Sequence, residues 1–338
     1  MKAWEISGPE GGIGALHLAE RPDPEPGPGE VAVAITASAL NFRDLATVEA
    51  PDGRVARYPL IPNSDGAGEV VAVGEGVETL APGIRVTSAF FKNWIDGAIS
   101  APIMAGALGG ASNDGVLAET IVLPATAVVR APAHLSDAEA ATLPCAALTA
   151  WHALVEKGRV MAGETVLVLG TGGVSIFALQ FAAMHGARCI VTSSSDAKLE
   201  RARDLGAEGT INYRSTPDWD RAVLDLTGGA GADHVIEVGG PGTLERSANA
   251  VRIGGRISLI GILTGAAGQA SPTTLMRKSV TLQGIYVGSR AMFERMNRAV
   301  ETHQLKPVID SSFAFDRAPE AFACMKAAGH FGKIVVER

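Results

Sequence analysis

The chain has 338 residues, 47% hydrophobic and 19% charged, which is enough apolar material for two compact cores. Its formal net charge of -7 and pI near 5.6 exclude the basic face that a nucleic-acid or anionic-membrane partner requires. Cys145, Cys189 and Cys324 are far apart and odd in number, which excludes a disulfide framework or a CxxC metal knuckle. The expected setting is a reducing cytoplasm, since the opening MKAWEISGPEGG has no apolar signal region and no run of about 18 apolar residues follows.

In chain order, the first third reads as β-rich. Short β-branched runs at 30–35, 68–73 and 84–87 are punctuated by Gly and Pro, and the proline-rich stretch 21–30 must be a surface connection. From about residue 138 the texture turns helical. The continuous apolar run 165–169 (TVLVL) is a strand of the kind that parallel sheets bury on both faces. A helix follows with one stripe through Val174, Phe177, Ala178, Phe181 and Ala182.

The alternation continues with a strand at 188–192, a helix at 196–205 that can stop at Gly206, a strand at 210–213 and a helix near 218–226. Next come a strand at 234–238, a helix near 243–251, a strand at 256–261, and a strand at 280–285 with no clear helix before it. After Ser289 the tail reads helix, loop, strand, helix, strand. Regular β-α alternation predicts an α/β fold with a doubly wound parallel sheet of Rossmann type, inserted into a β-rich domain to which the tail returns.

The segment Gly170-Thr171-Gly172-Gly173-Val174-Ser175 joins the first strand of that unit to its helix. Gly170 permits a tight turn, Gly172 lets backbone approach a pyrophosphate, and the helix N-terminus offers N–H groups and positive dipole to the anion. Ser175 stands where the fingerprint's third glycine usually sits. The second strand ends in Thr192-Ser193-Ser194-Ser195 where NAD binders place a carboxylate. Hydroxyls there, with Lys198 and Arg201 nearby, favour a 2′-phosphate and hence NADP(H) over NAD(H); alternatively, Ser195 or Asp196 caps a helix and Lys198 is a solvated charge. Residues 261–263 (Gly261, Ile262, Leu263), beyond a strand's C-terminal end, are candidate contacts near the nicotinamide ribose. His152, His185 and His234 have no triad partner at suitable spacing, and no HExxH, GxSxG or P-loop lysine motif occurs.

With these motifs in hand, the chain resembles the medium-chain dehydrogenase/reductase superfamily, and within it the zinc-independent quinone-oxidoreductase-like members. The resemblance rests on GPGEV at 27–31, ALNFRDL at 39–45, PLIPNSDGAGEV at 59–70, GVLAE at 115–119, LPCAALTAW at 143–151, the GTGGVS loop, and HFGKIVV at 330–336. It implies a GroES-like catalytic domain over 1–145, completed by 287–338, around a dinucleotide domain over 146–286. It also implies a homodimer, for which the 280–285 strand is a candidate edge. Lys198 and Tyr213 match the lysine and tyrosine that grip the 2′-phosphate in NADPH-dependent members, and Thr149 matches a residue placed against the nicotinamide ring.

The family's zinc members hold a catalytic Zn²⁺ on Cys, His and Cys. Those positions here are Asn41, the Asn63-Ser64-Asp65 run, and Cys145, and no structural-zinc cysteines occur between Phe90 and Asn113. The implied enzyme uses no zinc. Without a Lewis acid, hydride transfer suits an acceptor that is already electrophilic, a quinone or α,β-unsaturated ketone, needing only orientation and help for charge on its oxygen. Asn41 is then the candidate amide donor and Ser64 a hydroxyl donor or water anchor, while Arg43 and Asp44 form a buried ion pair. Cys145 reads as a small buried residue at a domain junction rather than a nucleophile, and with Phe42, Phe90, Phe91 and Trp94 it is expected to line a pocket for planar acceptors. The alternatives are an NAD(P)-dependent alcohol dehydrogenase, and a dinucleotide-binding scaffold or redox sensor with little turnover. The expected partner is a small-molecule substrate.

Overall fold

The structure, a computed structural model, describes residues 1–268 and 272–338. The chain divides into two compact units, Met1–Leu148 with Val287–Arg338, and Thr149–Tyr286.

The second unit is a six-stranded, all-parallel sheet. Its order is Gly209–Asn212, Arg188–Ser193, Thr165–Leu169, Ala232–Glu237, Val251–Leu259, Thr281–Gly284. Numbered along the chain this is 3-2-1-4-5-6, the doubly wound Rossmann order, whose direction reverses between Thr165–Leu169 and Ala232–Glu237. Every residue of TVLVL is buried, as a central strand covered on both faces requires. The helix Gly173–Met184 departs from the expected single stripe. Ser175, Ile176 and Leu179 are buried along with Phe177, Ala178, Phe181 and Ala182, and Val174 is only half-buried. A helix apolar nearly all round is a core helix, which its composition of Ala, Phe, Ile and Leu permits. By contrast, Asp196–Asp204 buries only Leu199 and Ala202, and its charged face is outside. One expectation is corrected: a helix, Pro272–Arg277, does precede the last strand. None of its six residues is buried, so it carries no apolar period to read.

The first unit is built on a seven-stranded sheet in the order Ile309–Ala314, Lys333–Glu337, Glu30–Ala39, Asp65–Val73, Arg85–Ser88, Val128–Arg130, with Thr120–Pro124 also paired to Glu30–Ala39. Only the two tail strands pair in parallel; the rest of this sheet is antiparallel. Lys2–Ile6 and Leu16–Glu20 form a separate two-stranded sheet. The core of this unit gathers Val31, Val33, Leu60, Val70, Leu117, Phe322 and Ile334, so that the two ends of the chain share one apolar interior. The pairing of Val335 with Ala39, and of Ala39 with Asp65, brings the tail, the end of the long strand and the 63–65 turn together. That junction holds the polar residues considered next.

Candidate active site

Glu30–Ala39 is followed by Leu40, whose N–H donates to the Ile334 carbonyl at 3.0 Å and so carries the strand register one residue further. Asn41 then caps the helix Phe42–Glu49, and its N–H donates to the Asp44 carboxylate at 2.9 Å. Asp44 is fully buried and pairs with Arg43 at 3.2 Å, so the ion pair expected here is present. Burial drives the Asp44 carboxyl up to about 6; Arg43 opposes the shift and Asp65 adds to it.

Ser64 and Asp65 are both fully buried. The Ser64 hydroxyl donates to Asp65 Oδ1 at 2.6 Å, and the Cys145 N–H donates to Asp65 Oδ2 at 3.0 Å. Burial pushes the Asp65 carboxyl up, while Lys333 and the hydrogen bonds from Ser64, Asn41 and Cys145 pull against it. Asn41 Nδ2 lies 3.5 Å from Ser64 Oγ, and its Oδ1 accepts from Lys333 Nζ at 2.7 Å. Lys333 Nζ also donates to the Leu40 carbonyl at 2.6 Å. Four separate segments of the first unit therefore converge on one hydrogen-bonded chain: Lys333, Asn41, Ser64, Asp65, Cys145.

Ser64 needs correction as a hydroxyl donor to substrate or a water anchor, since it is fully buried and its proton is committed to Asp65. Asn41 remains about 8% exposed, and its amide donor makes a long 3.5 Å contact with Ser64 besides its hydrogen bond toward Asp65. Cys145 is partly exposed, but burial and the Asp65 charge push its thiol well above the ordinary range, so it is no thiolate nucleophile. The aromatic expectation is also revised. Phe90, Phe91 and Trp94 are buried and pack edge to face, with centroids 4.7 and 5.7 Å apart, and Arg43 sits 4.6 Å over the Phe90 ring. They form a packed cluster supporting Arg43, whereas Phe42 is 54% exposed.

The donor chemistry here does not suit Zn²⁺. Asp65 already accepts from Ser64 and Cys145, and Asn41 Oδ1 accepts from Lys333, which leaves the Cys145 thiol beside oxygens that are already engaged. A zinc site wants three good N, S or O ligands. Among the described residues no three His, Cys, Asp or Glu side chains gather to offer them.

In the second unit, Gly170 has φ of +74° and turns the chain from strand Thr165–Leu169 into helix Gly173–Met184. Gly172 caps that helix, and a Cβ there would meet no atom within 4 Å, so the backbone is open on that side at the helix N-terminus, where the first N–H groups have no partner within the helix. The departure at Ser175 has a local account: its hydroxyl donates to the Leu169 carbonyl at 2.7 Å and ties helix to strand. A helix N-terminus with that opening fits a dinucleotide pyrophosphate.

At the second strand's end, Ser193 is buried and its Oγ accepts from the Ser195 N–H at 3.3 Å, while Ser194 is half-buried. Ser195 caps the following helix by accepting from Lys198 N–H. Lys198 is half-buried and Tyr213 is 42% exposed, its N–H tied to the Ser193 carbonyl at 3.0 Å. Thr149 is buried. Gly261, Ile262 and Leu263 form an accessible loop beyond Val251–Leu259, joined to the neighbouring loop by Leu263 N–H to Val238 O at 3.2 Å. His185 and His234 are occupied by Phe181 O and Glu164 respectively.

Two important residues escaped the sequence reading. Lys333 was hidden inside an apolar run, although a lone lysine in a buried strand is itself a signal. Glu237 is fully buried and accepts from Gly239 N–H, Gly240 N–H, Thr243 Oγ and Ser247 Oγ, organising the loop at the sheet's C-terminal edge.

Comparison with known proteins agrees with this architecture. Residues 27–133 match the alcohol dehydrogenase GroES-like domain, and residues 173–302 match the zinc-binding dehydrogenase family. The chain is 44% identical to a zinc-type alcohol dehydrogenase-like protein of Schizosaccharomyces pombe, over 90% of this chain and 89% of that protein. It is 31% identical to the 2-methylene-furan-3-one reductase of Solanum lycopersicum, over 99% of this chain and 79% of that protein. A solved structure from Sinorhizobium meliloti, described as an alcohol dehydrogenase, superposes with a TM-score of 0.94 at 45% identity, covering 100% of this chain and 98% of that one. An NAD-dependent alcohol dehydrogenase superposes with a TM-score of 0.89 at 35% identity over 100% of both chains. On these grounds the chain belongs to the medium-chain dehydrogenase/reductase superfamily and is an oxidoreductase of that nucleotide-dependent family.

Proposed function

We propose that the protein is a zinc-independent, NADP(H)-dependent reductase of quinones, α,β-unsaturated ketones or related carbonyl compounds. The observation that carries this reading is the Asn41–Ser64–Asp65 chain, an amide donor backed by buried hydrogen bonds where zinc members carry metal ligands. Bound NADPH would supply a hydride to an electrophilic carbon. The protein's share is then to orient the acceptor and to stabilise negative charge on its oxygen, which Asn41 Nδ2 can do as a hydrogen-bond donor. The relative named for reducing 2-methylene-furan-3-one, an unsaturated ketone by its name, supports that acceptor class.

For the cofactor, the helix N-terminus at Gly172–Val174 is the pyrophosphate cradle, Gly261–Leu263 and Thr149 serve the nicotinamide end, and Ser194, Lys198 and Tyr213 are the 2′-phosphate clamp. Ser193 takes part through its neighbours, since its own oxygen is engaged with Ser195. The resemblance to an NAD-dependent alcohol dehydrogenase favours a second reading, an NAD(P)-dependent alcohol dehydrogenase. We also read the protein as a cytoplasmic homodimer. Among the described residues no helix is long and apolar enough to cross a membrane, and the outermost strand Thr281–Gly284 exposes most of its side chains.

Parallel fluorescence titrations of chelator-treated protein with NADPH and NADH test the reading. Tight NADPH and weak NADH binding is expected, and Lys198→Ala should cost NADPH at least ten-fold more than NADH. Equal binding of the two, or equal losses in the variant, would remove the clamp and advance the alcohol dehydrogenase.

A further inference from the structure

We propose that Lys333 is a positioning residue for the reaction: it fixes the Asn41 carboxamide in the one orientation that presents Nδ2–H to a substrate oxygen. The proposal deepens the functional reading above and rests on it for the identity of that oxygen. A carboxamide has two nearly isosteric orientations, which exchange an acceptor for a donor. An ammonium has three donors and no acceptor, so beside it only the carbonyl oxygen is tolerated. Lys333 Nζ lies 2.7 Å from Asn41 Oδ1, and the flipped amide would set two donors against each other at that distance.

The ammonium itself is held firmly. It donates to the Leu40 carbonyl at 2.6 Å, it is about 3% exposed, and its strand is locked to residue 40 by the Leu40 N–H to Ile334 O bond at 3.0 Å. A buried lysine charge is costly unless compensated, and the buried carboxylates Asp65 and Asp44 supply the compensation. On the other side of the amide, Ser64 gives its proton to Asp65, so Ser64 Oγ faces Asn41 Nδ2 as an acceptor. Acceptor on one side and donor on the other make the orientation unique. Nδ2 carries two N–H groups, and the Ser64 hydroxyl and Asp65 carboxylate, bonded to each other at 2.6 Å, share one side of it, which leaves donor capacity for another oxygen.

The test compares Lys333→Met, Lys333→Arg, Asn41→Ala and the Lys333→Met/Asn41→Ala pair, with NADPH and a para-quinone or cyclic enone. Lys333→Met should lower kcat at least ten-fold with the KM for NADPH unchanged, and Lys333→Arg, which keeps the charge and donors, should recover most of it. The double variant should be no slower than Asn41→Ala alone. Losses that multiply, or an arginine variant as slow as the methionine one, would overturn the proposal. If Lys333→Met fails to fold, Lys333→Met/Asp65→Asn set against Asp65→Asn alone gives the same comparison without an uncompensated carboxylate. A readout free of any substrate comes from the ¹⁵N side-chain amide signals, with the Asn41 pair identified by its loss in Asn41→Ala. A single slowly exchanging pair that shifts and exchanges faster in Lys333→Met is expected; an unmoved pair would overturn the assignment. A wild-type chain inactive on every acceptor would remove the functional reading alone, because the amide signals still decide the role of Lys333.

Discussion

An amide at position 41 can meet a developing oxyanion only as a donor, and Asn41→Asp isolates that requirement. The carboxylate keeps the shape and should pair strongly with Lys333, so the fold is expected to survive. It turns the group facing substrate into a second negative charge. Removal of a single oxyanion donor costs about 10²–10³ in kcat, and Asn41→Asp should cost at least that in quinone or enone turnover. Turnover within three-fold of wild type would exclude Asn41 from the reaction. The neighbouring Asp44 makes a separate prediction for stability. Its carboxyl is raised to about 6 by burial, above the unfolded value of about 3.9. A raised carboxyl contributes stability that is fully present below about pH 4 and is lost as pH rises through about 6. Asp44→Asn, which can still accept from Asn41 N–H, should therefore flatten the fall in urea midpoint between pH 4.5 and 7. Parallel curves for the two proteins would contradict that origin.

At the scale of elements, the loops at the C-terminal edge of the parallel sheet depend on Glu237. One buried carboxylate satisfies two backbone N–H groups and two hydroxyls. Gly240, with φ of +85°, packs so tightly that a Cβ would lie 2.9 Å from Ile262 Cα. Glu237→Ala would leave two backbone N–H groups and the buried Ser247 hydroxyl without their acceptor, and should destabilise by at least about 3 kcal/mol and weaken dinucleotide binding. A chemical-unfolding loss under about 0.5 kcal/mol would show that the loops hold themselves.

The same elements explain what the sequence could tell. Strand–loop–helix units are local, so the TVLVL run, the glycine loop and the helix start at Gly173 were legible from spacing within about twenty residues. The short helix Pro272–Arg277 was not, because none of its residues is fully buried and only Leu275 packs on the core. Lys333 and Asn41 lie 292 residues apart, and their contact exists only once the tail strand pairs with Glu30–Ala39. The buried fate of Ser64 and of the Phe90–Trp94 cluster depended equally on long-range packing, which residue type alone does not encode.

For the whole molecule, two units with separate cores imply that dinucleotide and metal leave different marks on unfolding. The unit Thr149–Tyr286 carries the helix N-terminus that fits a pyrophosphate, and a ligand bound only to the folded state stabilises by mass action. At one hundred times its Kd, NADPH should contribute about 2.7 kcal/mol, which is roughly 5–10 °C in the melting of a unit of this size. Exhaustive chelation should leave both the melting profile and the NADPH shift as they were, because the Asn41–Ser64–Asp65–Cys145 group is already satisfied by its own donors and by Lys333. Calorimetry before and after chelation, with metal content measured on the same samples, reads both effects at once. About one zinc per chain, lost together with several degrees of melting temperature, would mean that a metal completes the protein and that its own hydrogen bonds do not.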